Sequence, residues 1–246
     1  MKTVLRLVSA GLALTLLAGC GAGTPPADSG NDAPAGEEVR GVSLIDVLQP
    51  SADYGPLTIF SRPTRSADYP YYTYGLLDSQ GQVVLAPVLS SLWEQQYRDG
   101  QGNSINTGIL RLGQECGSEE NPWLEKAAFA ARDGSWVTSF DYWGGIAFPG
   151  GVAATSDEGI SLLDSESGTC YRNWTWEELG QTGPEALPCV GGDVYSTAQW
   201  MDGRLQIGEA EREGRRVMLM LDPDTGKVEE ITTEEWVALC DQVYGG

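Results

Sequence analysis

Histidine is absent from all 246 residues. Its absence removes the usual general base near neutral pH, the commonest zinc ligand, and every Ser–His or Cys–His nucleophile pair. Lysine is nearly absent: after Lys2 only Lys126 and Lys227 occur, and neither completes a Ser-x-x-Lys spacing. There is no Gly-x-Ser-x-Gly elbow and no phosphate loop ending in Gly-Lys-Ser/Thr. Positive charge is scarce throughout, with 15 Lys and Arg against 35 Asp and Glu and a formal net charge of −20. So negative a surface repels nucleic-acid phosphates and anionic lipid headgroups, so nucleic acid is not an expected partner. The one long apolar run, Leu7 to Leu17, is too short to span a bilayer.

That apolar run has a specific layout. Met1-Lys2-Thr3-Val4-Leu5-Arg6 supplies a positive start, Leu7 to Leu17 the apolar centre, and Leu17-Ala18-Gly19-Cys20 a small-residue ending. This is the pattern of a cleavable export signal. The Leu-Ala-Gly-Cys ending resembles the lipobox of bacterial lipoproteins. The resemblance implies cleavage before Cys20, lipidation of Cys20, and an anchor on the extracytoplasmic face of a cell membrane. Residues 1–19 then read as the signal peptide. With Lys2 and Arg6 removed, thirteen basic and 35 acidic residues leave a charge of −22.

Residues 21–40 contain one β-branched apolar residue and no aromatic. Such a segment cannot offset its own ordering entropy, so 20–40 is expected to be a lipidated cysteine and a disordered tether. A flexible tether of this length reaches about 25 Å. From Gly41 the composition changes, and residues 41–246 are expected to form a single β-rich domain.

Within it, short apolar runs alternate with Asp/Ser/Gly turns, the signature of strands and hairpins. Tyr71 to Leu77 runs into Asp78-Ser79-Gln80-Gly81 and then Gln82 to Leu85. Ala128 to Ala131 meets Arg132-Asp133-Gly134 before Ser135-Trp136-Val137. Ile160 to Leu163 turns through Asp164 to Gly168, and Val217 to Leu221 through Asp222 to Gly226. In each turn the aspartate can bind local backbone N–H groups and the glycine can adopt positive φ. Val217, Leu219 and Leu221 share one strand face. Thr175-Trp176-Glu177-Glu178 and Thr232-Thr233-Glu234-Glu235 fit the Thr-x-x-Glu capping box. They predict two short helices, near 175–179 and 233–243.

The stretch Tyr74-Gly75-Leu76-Leu77-Asp78-Ser79-Gln80-Gly81-Gln82-Val83-Val84-Leu85-Ala86-Pro87 resembles the WG-repeat family of bacteria. A degraded second copy runs from Asp133 to Ala154, a third from Gly159 to Gly168, and a weaker echo from Val217 to Gly226. The four aspartates are 55, 31 and 58 residues apart, so no constant period survives. The resemblance implies a mainly β fold of antiparallel hairpins and meanders, WG-repeat-like or partial propeller-like, and a non-catalytic role.

Beyond Cys20, the cysteines Cys116, Cys170, Cys189 and Cys240 are candidates for disulfides, in any of three pairings. Phe140, Tyr142, Trp143 and Phe148, set among glycines, are the candidate exposed platform for a ligand, with Trp174 and Trp176 next. Asp222-Pro223-Asp224-Thr225-Gly226 echoes the start of a calcium loop, but Thr233 stands where that loop needs its glutamate. It reads as a hairpin turn. Adjacent acids such as Glu177-Glu178 are not the converging pair a glycosidase needs. The expectation is therefore no catalytic residue, no cofactor and no metal. The protein would be a lipid-anchored envelope protein presenting a hairpin domain for binding or scaffolding, toward an unknown protein or glycan. The alternative is a carbohydrate-binding or glycan-hydrolysing protein using exposed aromatics and carboxylates.

Overall fold

The short apolar runs become fourteen strands in the computed structural model, which describes residues 48–64, 71–117, 124–181 and 200–244. These residues belong to one unit, Gly41–Gly246. The expected signal, Cys20, the expected tether and Cys189 lie outside the described residues.

The strands form three sheets in which each strand pairs antiparallel with its neighbour in sequence. The first holds β1 (Thr58–Thr64), β2 (Tyr71–Leu77) and β3 (Val83–Leu89). The second runs through β4 (Ser91–Arg98), β5 (Ser104–Glu115), β6 (Glu125–Ala131), β7 (Tyr142–Phe148), β8 (Gly151–Ser156), β9 (Gly159–Asp164) and β10 (Cys170–Thr175). The third holds β11 (Trp200–Met201), β12 (Arg204–Arg212), β13 (Arg215–Leu221) and β14 (Val228–Thr232), followed by helix α1 (Thr233–Tyr244). The fold is mainly antiparallel β, as the turn chemistry leads one to expect.

The middle sheet curls into a half-barrel, bringing β4 to β7 and β5 to β8. Small residues make the curl feasible. Ala127 to Ala131 of β6 and Gly151 to Thr155 of β8 are buried without a break, so both faces of these strands are covered. One cluster fills the curl, with Ile109, Phe129, Trp136, Val152, Ala154 and Leu163. A second joins the first sheet to β5 and β6 through Leu76, Leu85, Leu110, Leu112 and Ala128. A third joins β7, β8 and β9 to β12 and β13 through Phe148, Ala153, Leu162, Leu205 and Leu219.

On β13, Leu219 and Leu221 enter that third cluster. The opposite face is buried as well: Met218 and Met220 pack beneath α1, against Trp236, Leu239, Cys240 and Val243. Those four helix positions follow the i, i+3, i+4, i+7 spacing of one face. The capping box of α1 forms as read: Glu235 accepts from the Thr232 N–H at 2.8 Å, and the Glu235 N–H donates to Thr232 Oγ1 at 3.2 Å.

The other predicted helix is corrected to a single turn. Its capping box also forms, with Glu178 accepting from the Thr175 N–H at 2.8 Å. The chain then leaves the helical path at Gly180, whose φ of 68° lies in the left-handed region. Trp176 and Leu179, three residues apart on this turn, are both buried in the third cluster.

Candidate functional site

The hairpin turns share one device. Asp78 Oδ1 accepts the Gln80 and Gln82 N–H groups, both at 2.8 Å. Asp133 accepts from Ser135, Asp164 from Glu166 and Ser167, and Asp222 from Asp224 and Thr225. A fifth copy, which sequence reading missed, is Asp99 with Gln101 and Asn103 between β4 and β5. These bonds favour the ionised carboxylate and hold Asp99, Asp133, Asp164 and Asp222 below the ordinary aspartate range. The first cause is the side chain of Asn103, Ser135, Ser167 and Thr225, respectively. The Asp222 carboxylate is thus committed to its own turn, which matches the hairpin reading over the calcium loop.

Three of the turn glycines carry an aromatic ring from an earlier part of the chain. A Cβ on Gly134 would fall 2.6 Å from Tyr54 Cδ2. A Cβ on Gly168 would collide with the indole of Trp136, which also donates Nε1–H to the Ser165 carbonyl at 3.2 Å. A Cβ on Gly226 would fall 2.9 Å from Cε2 of Trp174. Arg172, whose guanidinium carbon lies 5.7 Å from the Trp174 ring centre, grips the same turn. It donates to the Pro223 carbonyl at 2.7 Å and to the Asp224 carbonyl. Each partner is tens of residues distant in sequence, so no local pattern reveals these pairs.

The expected aromatic platform is not assembled. Phe148 is 4 % exposed and packs on Trp200 with ring centres 5.8 Å apart. Tyr142 faces the interior of the curl, 5.5 Å from Phe129, and burial raises its phenol above the usual value. Phe140 packs against the second cluster. One of the glycines that suggested exposure serves close packing instead: a Cβ on Gly145 would lie 2.6 Å from Phe129 Cζ. Trp174 and Trp176 are likewise turned inward.

Trp143 has a polar setting of its own. Its Nε1–H donates to Asp157 Oδ1 at 2.6 Å, and Lys126 Nζ lies 3.4 Å above the ring centre while bonding Asp157 Oδ2 at 3.1 Å. The indole N–H, then Lys126, hold the Asp157 carboxyl below its ordinary value. Indole, ammonium and carboxylate satisfy one another.

A second polar cluster joins the start of β4 to β5 and β6. Glu125 Oε1 accepts from Arg111 Nη1 at 2.6 Å, and Glu125 Oε2 from Ser90 at 2.6 Å. Ser91 Oγ lies 2.7 Å from Oε1 and 2.8 Å from Oε2, and accepts from Arg111 at 3.0 Å. Arg111 also stacks 4.4 Å over Trp93. A Cβ on Gly113 would collide with both Ser91 Oγ and Glu125 Oε1, so a larger residue here would displace the cluster's side chains. With its oxygens filled, Glu125 is an anchor between strands and not a free base. The sequence signal was an arginine in the apolar run Ile109-Leu110-Arg111-Leu112.

The disulfide expectation is corrected for three of its cysteines. Cys116, Cys170 and Cys240 are each free. Any two-bridge pairing of the four cysteines needs one bridge within this trio, and the structure holds none there. Cys116 follows β5, Cys170 opens β10 beyond four intervening strands, and Cys240 lies on α1.

Among the described residues, no group of three or more Asp, Glu and Cys converges as a metal site. No family model, no curated protein and no solved structure matches this chain.

Proposed function

We propose that the chain is a lipid-anchored protein of the extracytoplasmic face of a bacterial membrane, whose hairpin-built domain binds or scaffolds a partner without catalysing a reaction. The anchor rests on Leu17-Ala18-Gly19-Cys20, and the stand-off from the membrane on the tether composition of residues 21–40.

The observation that carries the domain's role is the repeated turn in which an aromatic from an earlier element covers a glycine, at Gly134, Gly168 and Gly226. This device supports reading the domain as a degenerate WG-repeat-like array. Each lock fixes one hairpin against another part of the chain, which favours a rigid body over a gated cleft. The filled lone pairs of Glu125 and the self-satisfied Lys126–Trp143–Asp157 group favour the same reading.

Metabolic labelling with radioactive palmitate tests the anchor. Wild type is expected to incorporate label and Cys20→Ala to lose it; equal labelling of both overturns the anchor. Incubating the purified protein with cell-wall glycans tests the second half, and release of fragments overturns the non-catalytic assignment.

A further inference from the structure

The sequence contains four methionines, one of them Met1. The other three, Met201, Met218 and Met220, fall in one cluster beneath α1 and are 1 %, 3 % and 0 % exposed. They come from two strands, and the helix adds a fourth sulfur: Cys240 Sγ lies 3.8 Å from Met201 Sδ. Methionine often fills gaps in cores. Here, however, every methionine after the first falls in one cluster with half-buried Cys240, and the rest of the described hydrophobic core is built from Leu, Ile, Val, Ala and aromatic residues.

We propose that this seam binds one Cu(I) ion, through the Cys240 thiolate, the Met201 thioether and a second thioether from Met218 or Met220. Thiolate and thioether are the soft donors that select Cu(I) over harder ions. The spacing fits. Two sulfurs each about 2.3 Å from one ion, the length of a zinc–thiolate bond, stand about 4.0 Å apart at a trigonal angle. Harder divalent ions have no comparable donor set, since histidine is absent and no cluster of three or more acids and cysteines forms among the described residues.

The surroundings resemble a supporting shell. Gln206 Nε2 lies 3.5 Å from Met218 Sδ, and Gln206 Oε1 accepts the Trp236 indole N–H at 3.0 Å. This chain of contacts fixes the thioether and the helix above it. The buried methionines form a dry floor, and Cys240 is half-buried above it. Binding replaces the thiol proton: the S–H bond breaks, the proton leaves to solvent, and a Cu–S bond forms. The thioethers bind through lone pairs, and copper stays Cu(I) throughout.

The test is an anaerobic competition for Cu(I) between the reduced, purified full-length protein and the colorimetric chelator bathocuproine disulfonate. Wild type is expected to withdraw one Cu(I) per chain, and excess Zn(II) not to displace it. Met201→Leu and Cys240→Ser should each weaken binding by at least about tenfold. Cys116→Ser, Cys170→Ser and Cys189→Ser should leave it unchanged. Wild-type affinity in Met201→Leu, or loss of binding in any of those three serine variants, overturns the site. X-ray absorption of the wild-type complex needs no variant: a first shell of sulfur alone supports the assignment, and a shell containing nitrogen or oxygen overturns it.

Discussion

The indole of Trp136 occupies the space a side chain at Gly168 would need, and it hydrogen-bonds Ser165 within the same turn. One residue therefore reads both the shape and a carbonyl of a hairpin 32 positions further on. Trp174 and Gly226 repeat the relationship between β10 and the turn after β13.

Alanine at these glycines should separate two costs. Gly168 and Gly226 have φ of 66° and 75°, and alanine there meets both left-handed backbone strain and an indole. Gly81 and Gly214 have φ of 77° and 75° but open space around the missing Cβ. Gly81→Ala and Gly214→Ala should each cost about 1–2 kcal/mol. Gly168→Ala and Gly226→Ala should cost clearly more, as measured by denaturant unfolding. Equal costs at all four positions would show that the rings do not lock the turns.

The Arg111–Glu125 pair offers a double-mutant test. Glu125→Ala leaves a largely buried guanidinium without its counter-charge and should destabilise by about 2–3 kcal/mol, somewhat less than a fully dry pair. Arg111→Met combined with Glu125→Leu removes both charges and should recover much of that loss. A double variant as unstable as the sum of the singles would mean the pair is not coupled.

Gln95 is 2 % exposed, and its Nε2 has no hydrogen-bond partner among the described residues. A buried donor left without a partner costs about 1–3 kcal/mol. Gln95→Met, close in shape, is therefore expected to raise the unfolding midpoint. A lower midpoint would show that the amide is satisfied in solution.

The turn aspartates set a pH dependence. Asp99, Asp133, Asp164 and Asp222 sit below their ordinary value in the folded chain, so the unfolded chain takes up protons first as pH falls. Their contribution is complete above the unfolded aspartate value of about 3.9 and is lost as pH falls through the lower folded values. Unfolding midpoints should be flat from neutral pH to about pH 5 and decline below about pH 4. Asp164→Asn together with Asp222→Asn should shallow that decline, because asparagine can hold the turn without titrating.

Thr232→Ala removes the Oγ1 that receives the Glu235 N–H. About 1 kcal/mol of helix stability should go with it. Loosening α1 should expose the methionine seam, detectable as faster amide exchange in residues 233–243. Unchanged exchange would mean the cap is dispensable.

The hairpins were legible because their chemistry is local. Asp78, Asp164 and Asp222 each bind amides two to four residues ahead, so a short window contains the whole signal. Asp99 uses the same chemistry but follows the polar end of β4, where no apolar run marks a strand. The cap of α1 was legible for the same local reason. The turn at 175 shows the limit, since a sound N-terminal cap says nothing about Gly180 ending the helix five residues later. Phe140 to Phe148 looked exposed because glycine commonly marks open loops, whereas Gly145 here admits the Phe129 ring. The partners of Trp136, Trp174 and Arg111 lie on other strands, and only the fold brings them together.

The strand order has a kinetic meaning. Within each of the three sheets every strand after the first pairs with the one made just before it. Within a sheet, a chain emerging from its N-terminus thus offers the next strand a finished edge, and closure is local in sequence. The aromatic rings wait for their glycines: Tyr54 for Gly134, Trp136 for Gly168, Trp174 for Gly226. Assembly therefore runs like a zipper fastened from behind at three points. A chain interrupted before Gly226 would already hold two of the three fasteners.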